Sequence, residues 1–350
     1  MRSLRSILLT GGAGFVGSHL ARHLLAIPEL EHLVVLDTLA ETGSRGNLIG
    51  LEQDPRIRFV EGDICDAKLI TKLLGEMTAT GVFHLASRPD TGRPSSQLDN
   101  FMVTNVHGTW CLLDACHKSG VPLLHCSNGA VYGSVDPPAK LDETAPLHPG
   151  SLYAASKASA DLLCLAGHQM HGQDVVITRA TNNYGPRQHD SAFIPTLVRH
   201  AVLGRSLPVP GNGMQIRDWM HVDDHCQGMI ATFLRGPAGH VFNLSGQCER
   251  TNLGMARTIL TILGKPESLI NQTDSSQHDR RHALDTSKME NYFAWKPTIA
   301  FSSGFPSVVR ELAANYSSAS SPAPVQPDDD HGPNSRWAPP RKDGPPDEDP

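Results

Sequence analysis

Six short runs of β-branched and leucine-rich residues punctuate the first half of the chain: SILLTGG (6–12), HLVVLD (32–37), IRFVEGD (57–63), GVFHLAS (81–87), PLLHCSN (122–128) and DVVITRA (174–180). Stretches of helical periodicity such as FVGSHLARHLLA separate them. Near-continuous apolar strands alternating with amphipathic helices predict an α/β fold, a parallel sheet covered by helices on both faces. Each run ends in small or polar residues, as expected where the carboxyl ends of strands form a ligand crevice. After Ala180 the rhythm changes to Gly- and Pro-rich loops, NNYGPRQHD and LPVPGNGMQIRDW, between short helices, with one further strand at HVFNLSG (240–246). The reading is a dinucleotide-type domain over 1–180 and a smaller substrate-binding α/β portion over 181–316. From Ser317 to Pro350 the chain is Ser, Pro, Asp and Gly with hardly any large apolar residue, so burial cannot offset its ordering entropy and a disordered tail is expected. No internal repeat is found.

Composition narrows the partners. The 350 residues are 39% hydrophobic and 19% charged, enough to bury a sizeable core. The net charge is −6, but the tail holds seven acids against three bases and so carries −4 of it. The remainder is nearly neutral, which argues against a nucleic-acid groove or an anionic membrane surface. The seven cysteines include no C-x-x-C pair and, with the scattered histidines, no zinc-site spacing. No signal-peptide core or membrane-spanning stretch is evident. A cytoplasmic protein without a metal is expected.

The first strand runs into TGGAGFVG, placing Gly11, Gly14 and Gly17 at a strand-to-helix turn. There glycines permit the tight turn, the approach of a pyrophosphate and close helix packing, and the helix N-terminus offers free N–H groups to phosphates. A glycine triplet alone is weak evidence. Here Asp37, at the end of the second strand, supplies an acid for the adenosine ribose diol and repels a 2′-phosphate, so a Rossmann-type doubly wound sheet binding NAD rather than NADP is expected.

Tyr153 and Lys157 lie four apart in SLYAASKASADLL and so share one helix face. An adjacent ammonium and the nicotinamide charge favour the phenolate of Tyr153, which then takes a proton from an alcohol during its oxidation. Y-x-x-x-K by itself carries almost no information; its weight comes from following the dinucleotide fingerprint.

Together TGGAGFVGSHL, EGDICD, HLAS, TNVHGTWCLLDAC, YAASKASAD, DVVITRATNNYGP, IRDWMHVDDHC, ERTNL and HDRRHALD resemble the extended short-chain dehydrogenase/reductases that act on nucleotide sugars, above all the dTDP-glucose 4,6-dehydratases, over about residues 5–312. The resemblance implies a cofactor site of Gly11, Gly14, Phe15, Val16, Gly17, Asp37, Asp63, Ile64, Leu85 and Ala86 with Tyr153 and Lys157, Asp63 and Ile64 flanking the adenine. It implies a nucleotide-diphosphate sugar held by Arg93, Asn182, Arg217, Asn243 and Arg280, and a homodimer formed through the helices of DNFMVTNVHGTWCLLDAC and SLYAASKASADLLCLAGHQM.

One stretch departs from that pattern. Before VYG the dehydratases read Ser-Thr-Asp-Glu, where Thr polarises the sugar O4, Asp protonates the departing C6 hydroxyl and Glu removes the C5 proton. This chain has Ser127, Asn128, Gly129 and Ala130. Asn128 can donate a hydrogen bond to O4 but cannot relay a proton, and the elimination acid and base are missing. Small residues here resemble instead the Ser-Ala-Ala or Ser-Ala-Thr stretch of nucleotide-sugar 4-epimerases. The first reading is therefore an NAD-dependent NDP-hexose 4-epimerase, or another enzyme that oxidises C4. A second keeps 4,6-dehydration with displaced groups, His189 and Asp190. A third is a non-catalytic NDP-sugar or NAD binder, against which the retention of both Tyr153 and Lys157 argues.

Overall fold

The computed structural model describes residues 1–40, 42–89, 101–274 and 280–318. The six expected strands form as β1 (Ser6–Thr10), β2 (His32–Asp37), β3 (Ile57–Glu61), β4 (Gly81–His84), β5 (Leu123–Asn128) and β6 (Val175–Ala180). All pair in parallel, in the order β6-β5-β4-β1-β2-β3. In register, Ile7 of β1 faces Leu33 on one side and Gly81 on the other. The chain winds outward from β1 through β2 to β3, then returns across it to β4. That reversal opens a crevice at the carboxyl ends of β1 and β4, where this topology binds ligands.

The strand residues alternate between two cores, as the period of two requires. Ile7, Leu9, Leu33, Val35 and Phe83 join one apolar cluster with Leu20 and Leu24 of α1 (Phe15–Leu25). Leu8, Val34, Leu36 and Val82 join the other with Ile70, Leu73 and Leu74 of α2 (Ala67–Glu76) and Leu112 of α3 (Thr109–Ser119). Burying each such side chain stabilises the fold by roughly 1.5–3 kcal/mol. A π-helical turn over Met102–Gly108 leads into α3. The next helix, α4 (Leu152–His171), starts where the Ser151 hydroxyl accepts the Ala154 N–H at 3.1 Å and stops at Gly172 in the left-handed region, φ 65°.

Beyond residue 180 come α5 (Phe193–Val202), α6 (Val222–Arg235), α7 (Asn252–Leu263), α8 (Ser287–Phe293) and α9 (Phe301–Ser318). The strands there are β7 (Asn182–Tyr184), β8 (Leu207–Pro210), β9 (Ile216–His221), β10 (Val241–Leu244), β11 (Glu249–Thr251) and β12 (Ile270–Thr273). β11, β9 and β7 make a three-stranded sheet, β12 pairs with β8, and α5, α7 and α9 close a third core around Trp219, Ile259 and Phe305.

Elements on either side of the expected division at residue 180 pack together. β10, read from HVFNLSG as part of the second portion, pairs in parallel with β6 as the seventh strand of the large sheet. Met229 and Phe233 of α6 fill the same core as α1, and Phe293 of α8 packs on Phe242 of β10 with ring centroids 4.9 Å apart. The sheet needs the later strand to bury the open side of β6, so the two portions interleave. The proposed tail also shifts: α9 runs through Ser318, and the rest of 317–350 lies outside the described residues. Among the described residues no helix is long and apolar enough to cross a membrane.

Candidate active site

The crevice begins at the glycine turn. Gly11 has φ +70°, and an added Cβ there would run into the backbone of Leu85 and Ala86 at the end of β4; one at Gly17 would overlap the Gly11 carbonyl. These two glycines let the turn pack tightly on the end of β4 and on its own backbone, whereas a Cβ at Gly14 would meet only the Gly11 carbonyl, at 3.2 Å, where α1 begins. Asp37 accepts N–H groups from Ala13 and Leu39, each at 2.9 Å, and so ties the turn to β2. Burial pushes its carboxyl up, against the pull of those backbone donors. Phe15 meets His19 edge-on within α1. Asp63 accepts the Cys65 N–H at 2.9 Å in the turn before α2, while Ile64 is buried against Gly108.

Deeper in lies a cavity of about 150 Å³ lined by Val16, Leu85, Ser87, Cys126, Ser127, Asn128, Tyr153, Lys157, Ala180, Thr181, Asn183 and His225. It thus gathers the turn after β1, the ends of β4, β5 and β6, and the Tyr-Lys face of α4. Lys157 is 3% exposed and donates to the Cys126 carbonyl at 2.8 Å. Burial lowers its pKa, and the neighbouring Cys126 and Asp161 act to raise it. Asn128 caps the short 3-10 turn Gly129–Tyr132: its Oδ1 accepts the Ala130 N–H at 2.8 Å, which leaves the amide nitrogen as the group with donors to offer. Gly129 is buried, and a Cβ there would lie 3.0 Å from Leu284 Cδ1 and 3.3 Å from the Ala180 carbonyl.

Four buried polar atoms of the lining, Ser127 Oγ, Thr181 Oγ1, Asn183 Oδ1 and His225 Nδ1, have no hydrogen-bond partner among the described residues. Unpaired polar atoms around a cavity mark a place where a ligand supplies the missing hydrogen bonds. Together with the glycine turn at the start of α1, they fit the dinucleotide that the sequence leads one to expect. Apart from Ser127, in the departing stretch, the sequence reading gave none of the four a role. Asn183 in NNYGP and His225 in IRDWMHVDDHC both lie in stretches it singled out.

The sugar-side expectations divide. Asn182 is half-buried at the start of β7. Arg217 is half-buried on β9 and donates to the Ile216 carbonyl at 2.9 Å. Arg280 is exposed, its backbone N–H meeting the Ser134 hydroxyl at 3.1 Å. Arg93 lies outside the described residues. Asn243 is fully buried in β10, its Oδ1 accepts from the Tyr132 hydroxyl at 2.9 Å, and its Nδ2 donates to Leu141 and Asp285 carbonyls at 3.0 and 3.2 Å, so it fastens three segments. His189 and Asp190, weighed as displaced acid and base, are exposed; His189 pairs with the Ser191 hydroxyl at 2.8 Å and Asp190 accepts from Tyr316 at 2.6 Å. Neither lines the cavity.

A doubly wound sheet with a glycine turn, an acid closing β2 and a Tyr-Lys helix face is the framework of a nicotinamide-dependent enzyme. Residues 7–245 match the model of the NAD dependent epimerase/dehydratase family, and the chain belongs to it. It is 42% identical to a dTDP-glucose 4,6-dehydratase of Actinoplanes sp. over 318 residues, covering 89% of this chain and 98% of that protein. Among solved structures it is similar to DesIV, a dTDP-glucose 4,6-dehydratase from Streptomyces venezuelae with NAD and TYD bound, at 39% identity and TM-score 0.86 over 89% of this chain and 98% of that one. It is also similar to UDP-glucuronic acid 4-epimerase from Bacillus cereus in complex with UDP-glucuronic acid and NAD, at 28% identity and TM-score 0.83, covering 89% and 100%. The chain is thus an NAD-dependent nucleotide-sugar enzyme of the epimerase/dehydratase family.

Proposed function

We propose that this enzyme oxidises an NDP-hexose at C4 and completes an NDP-hexose 4-epimerisation without eliminating water. The observation that carries the reading is the acid-base inventory of the cavity. Among the described residues its ionisable lining is Cys126, Tyr153, Lys157 and His225, none a carboxylate. Burial pushes the Cys126 thiol up to about 11 and His225 down to about 4, so both are neutral near pH 7. Elimination across C5 and C6 needs an acid and a base that Gly129 and Ala130 do not offer.

NAD, when bound, supplies the two-electron acceptor. Gly14 would leave room for its pyrophosphate, while Gly11 and Gly17 allow the tight turn and the close helix packing, and Phe15 and Val16 open that helix. Asp37 takes the adenosine ribose, Asp63 and Ile64 flank the adenine, and Leu85 and Ala86 border the path to the cavity. Tyr153 removes the C4 hydroxyl proton and later returns one, with Lys157 holding the phenolate. Asn128 donates through its amide nitrogen to O4. Arg93, Asn182, Arg217 and Arg280 bind the nucleotide diphosphate, a role suited to guanidinium forks.

The relatives' names favour a second reading, 4,6-dehydration with acid and base from groups not yet placed. Incubating the enzyme with a panel of NDP-hexoses and following products by NMR separates the two: C4 epimers support the first, 4-keto-6-deoxy sugars the second.

A homodimer is part of the proposal. Met102, Val103 and Trp110 before and on α3, with Leu152, Leu162 and Met170 on α4, are large apolar side chains 40–73% exposed, the kind of face a partner copy covers. Light scattering that gives a monomer at micromolar concentration overturns it. The seven free cysteines suit a reducing, cytoplasmic setting.

A further inference from the structure

Tyr153 and Lys157 occupy one stripe of α4, and the next position on that stripe is Asp161, a fully buried carboxylate. Its Oδ2 accepts from Arg179 Nε of β6 at 2.8 Å. Its Oδ1 lies 3.3 Å from His125 Nε2 of β5, within ion-pair range but not aligned as a hydrogen bond. Arg179 continues through its Nη1 to the Tyr132 hydroxyl at 2.7 Å. One acid thus stands between two buried cations, Lys157 ahead of it and Arg179 beside it.

The groups that face Lys157 leave Asp161 as its counter-charge. β5 presents His125 and the Cys126 thiol, β4 presents His84, α4 itself presents Tyr153, Asp161 and Cys164, β6 presents Arg179, and His225 of α6 lines the same cavity. Burial pushes both thiols up and holds His84 well below its ordinary value and His125 at about 4, so these four are neutral near pH 7. Burial acts to raise the Asp161 carboxyl too, but the polar and charged side chains that face it, His125, Arg179 and Ser127, together outweigh it and keep it below the usual carboxylate range. Removing that charge takes away the carboxylate that Arg179 contacts and that shares the stripe of Lys157, and leaves both cations buried.

We propose that Asp161 is a positioning residue for catalysis: from one turn beyond Lys157, and clasped by Arg179, it keeps the Lys157 ammonium charged and seated on the Cys126 carbonyl beside the cavity. An ion pair serving only stability would connect α4 to β6 without setting the protonation of Lys157. The proposal uses the C4-oxidation reading only where turnover is measured.

The test is an NMR titration of the full-length, NAD-loaded protein carrying lysine labelled with carbon-13 at Cε, the Lys157 signal being assigned by its loss in Lys157→Met. In Asp161→Asn the Lys157 midpoint should fall by about one pH unit or more, because an ammonium that loses an adjacent anion gives up its proton more readily. The alkaline limb of turnover should move down with it. Should the stranded Arg179 prevent that variant from folding, Asp161→Asn/Arg179→Gln removes both charges and should show a smaller fall in the same direction. A Lys157 midpoint equal to wild type in either folded variant overturns the proposal. A lowered midpoint with no C4 oxidation in any variant or in wild type upholds it and overturns the proposed reaction instead.

Discussion

Gly129→Asp combined with Ala130→Glu restores the two carboxylates that dehydratases carry before VYG, and the structure says what that change meets. A Cβ at 129 would sit 3.0 Å from Leu284 Cδ1, the far end of a flexible side chain, and 3.3 Å from the Ala180 carbonyl oxygen, which is fixed in the sheet. Leu284 is 2% exposed and packs with Val131, Tyr132 and Ala158, so it must give by a few tenths of an ångström within a closed cluster. Overpacking of that kind costs roughly 1–3 kcal/mol, a loss a thermal melt will read. In return, a carboxyl placed there is desolvated and has its pKa raised, which suits an acid that protonates a leaving hydroxyl. Acid or base assistance contributes about 10²–10⁴-fold per group, so 4,6-dehydration of a 6-hydroxylated NDP-hexose should rise at least about 10²-fold. Epimerisation should fall as the pocket fills. The assay compares formation of the 4-keto-6-deoxy product by wild-type and doubly substituted enzyme under identical conditions. A wild type that already dehydrates at an ordinary rate of about 1–10³ s⁻¹ refutes the reasoning, since the acid and base would then have to come from residues other than 129 and 130. If neither protein dehydrates while both epimerise, the cavity has diverged beyond these two positions.

Tyr153→Phe should abolish product formation and leave NAD content unchanged, as measured by release of cofactor from the denatured protein; normal turnover would remove the phenol from the mechanism. Gly17→Ala forces a Cβ against the Gly11 carbonyl and Gly12 backbone, so NAD content and melting temperature should both drop, and a variant that keeps its cofactor would show that the turn can open. Asp223 joins α6 to α1 through His19 at 2.8 Å and His23 at 3.1 Å. Burial acts to raise its carboxyl, but these histidines outweigh it and hold it far below the ordinary range. A depressed carboxylate stabilises the fold above its unfolded pKa of about 3.9 and loses that contribution as pH falls through the folded value. Asp223→Asn should therefore melt lower at pH 7 and show a shallower loss of stability below about pH 4; identical melting curves would mean that the contact between α1 and α6 does not depend on the charge.

Local rules made the strands, the glycine turn and the Tyr-Lys helix legible in the chain, because apolar periodicity, backbone sterics and a four-residue helical spacing operate within a few neighbours. Gly17 is readable for that reason, since the atoms that forbid a side chain there belong to Gly11 and Gly12, whereas those that forbid one at Gly11 belong to Leu85 and Ala86. Asn128, Gly129 and Ala130 were legible as a departure, though nothing in SNGAVYG announces that Leu284, more than 150 residues on, would close the space beside Gly129. The rest was decided by which segments meet. HVFNLSG reads equally well as a strand of either portion, and only pairing with β6 makes it the seventh strand of the large sheet. That pairing buries Asn243 among Tyr132, Leu141 and Asp285, contacts that no local pattern announces. Asp161 stood in plain view four residues after Lys157, yet its charge acquires meaning only where β6 delivers Arg179 and β5 delivers His125. Periodicity states which face of a segment is apolar; the identity of the neighbour that covers it, and with it the charge balance of a buried group, exists only in the assembled sheet.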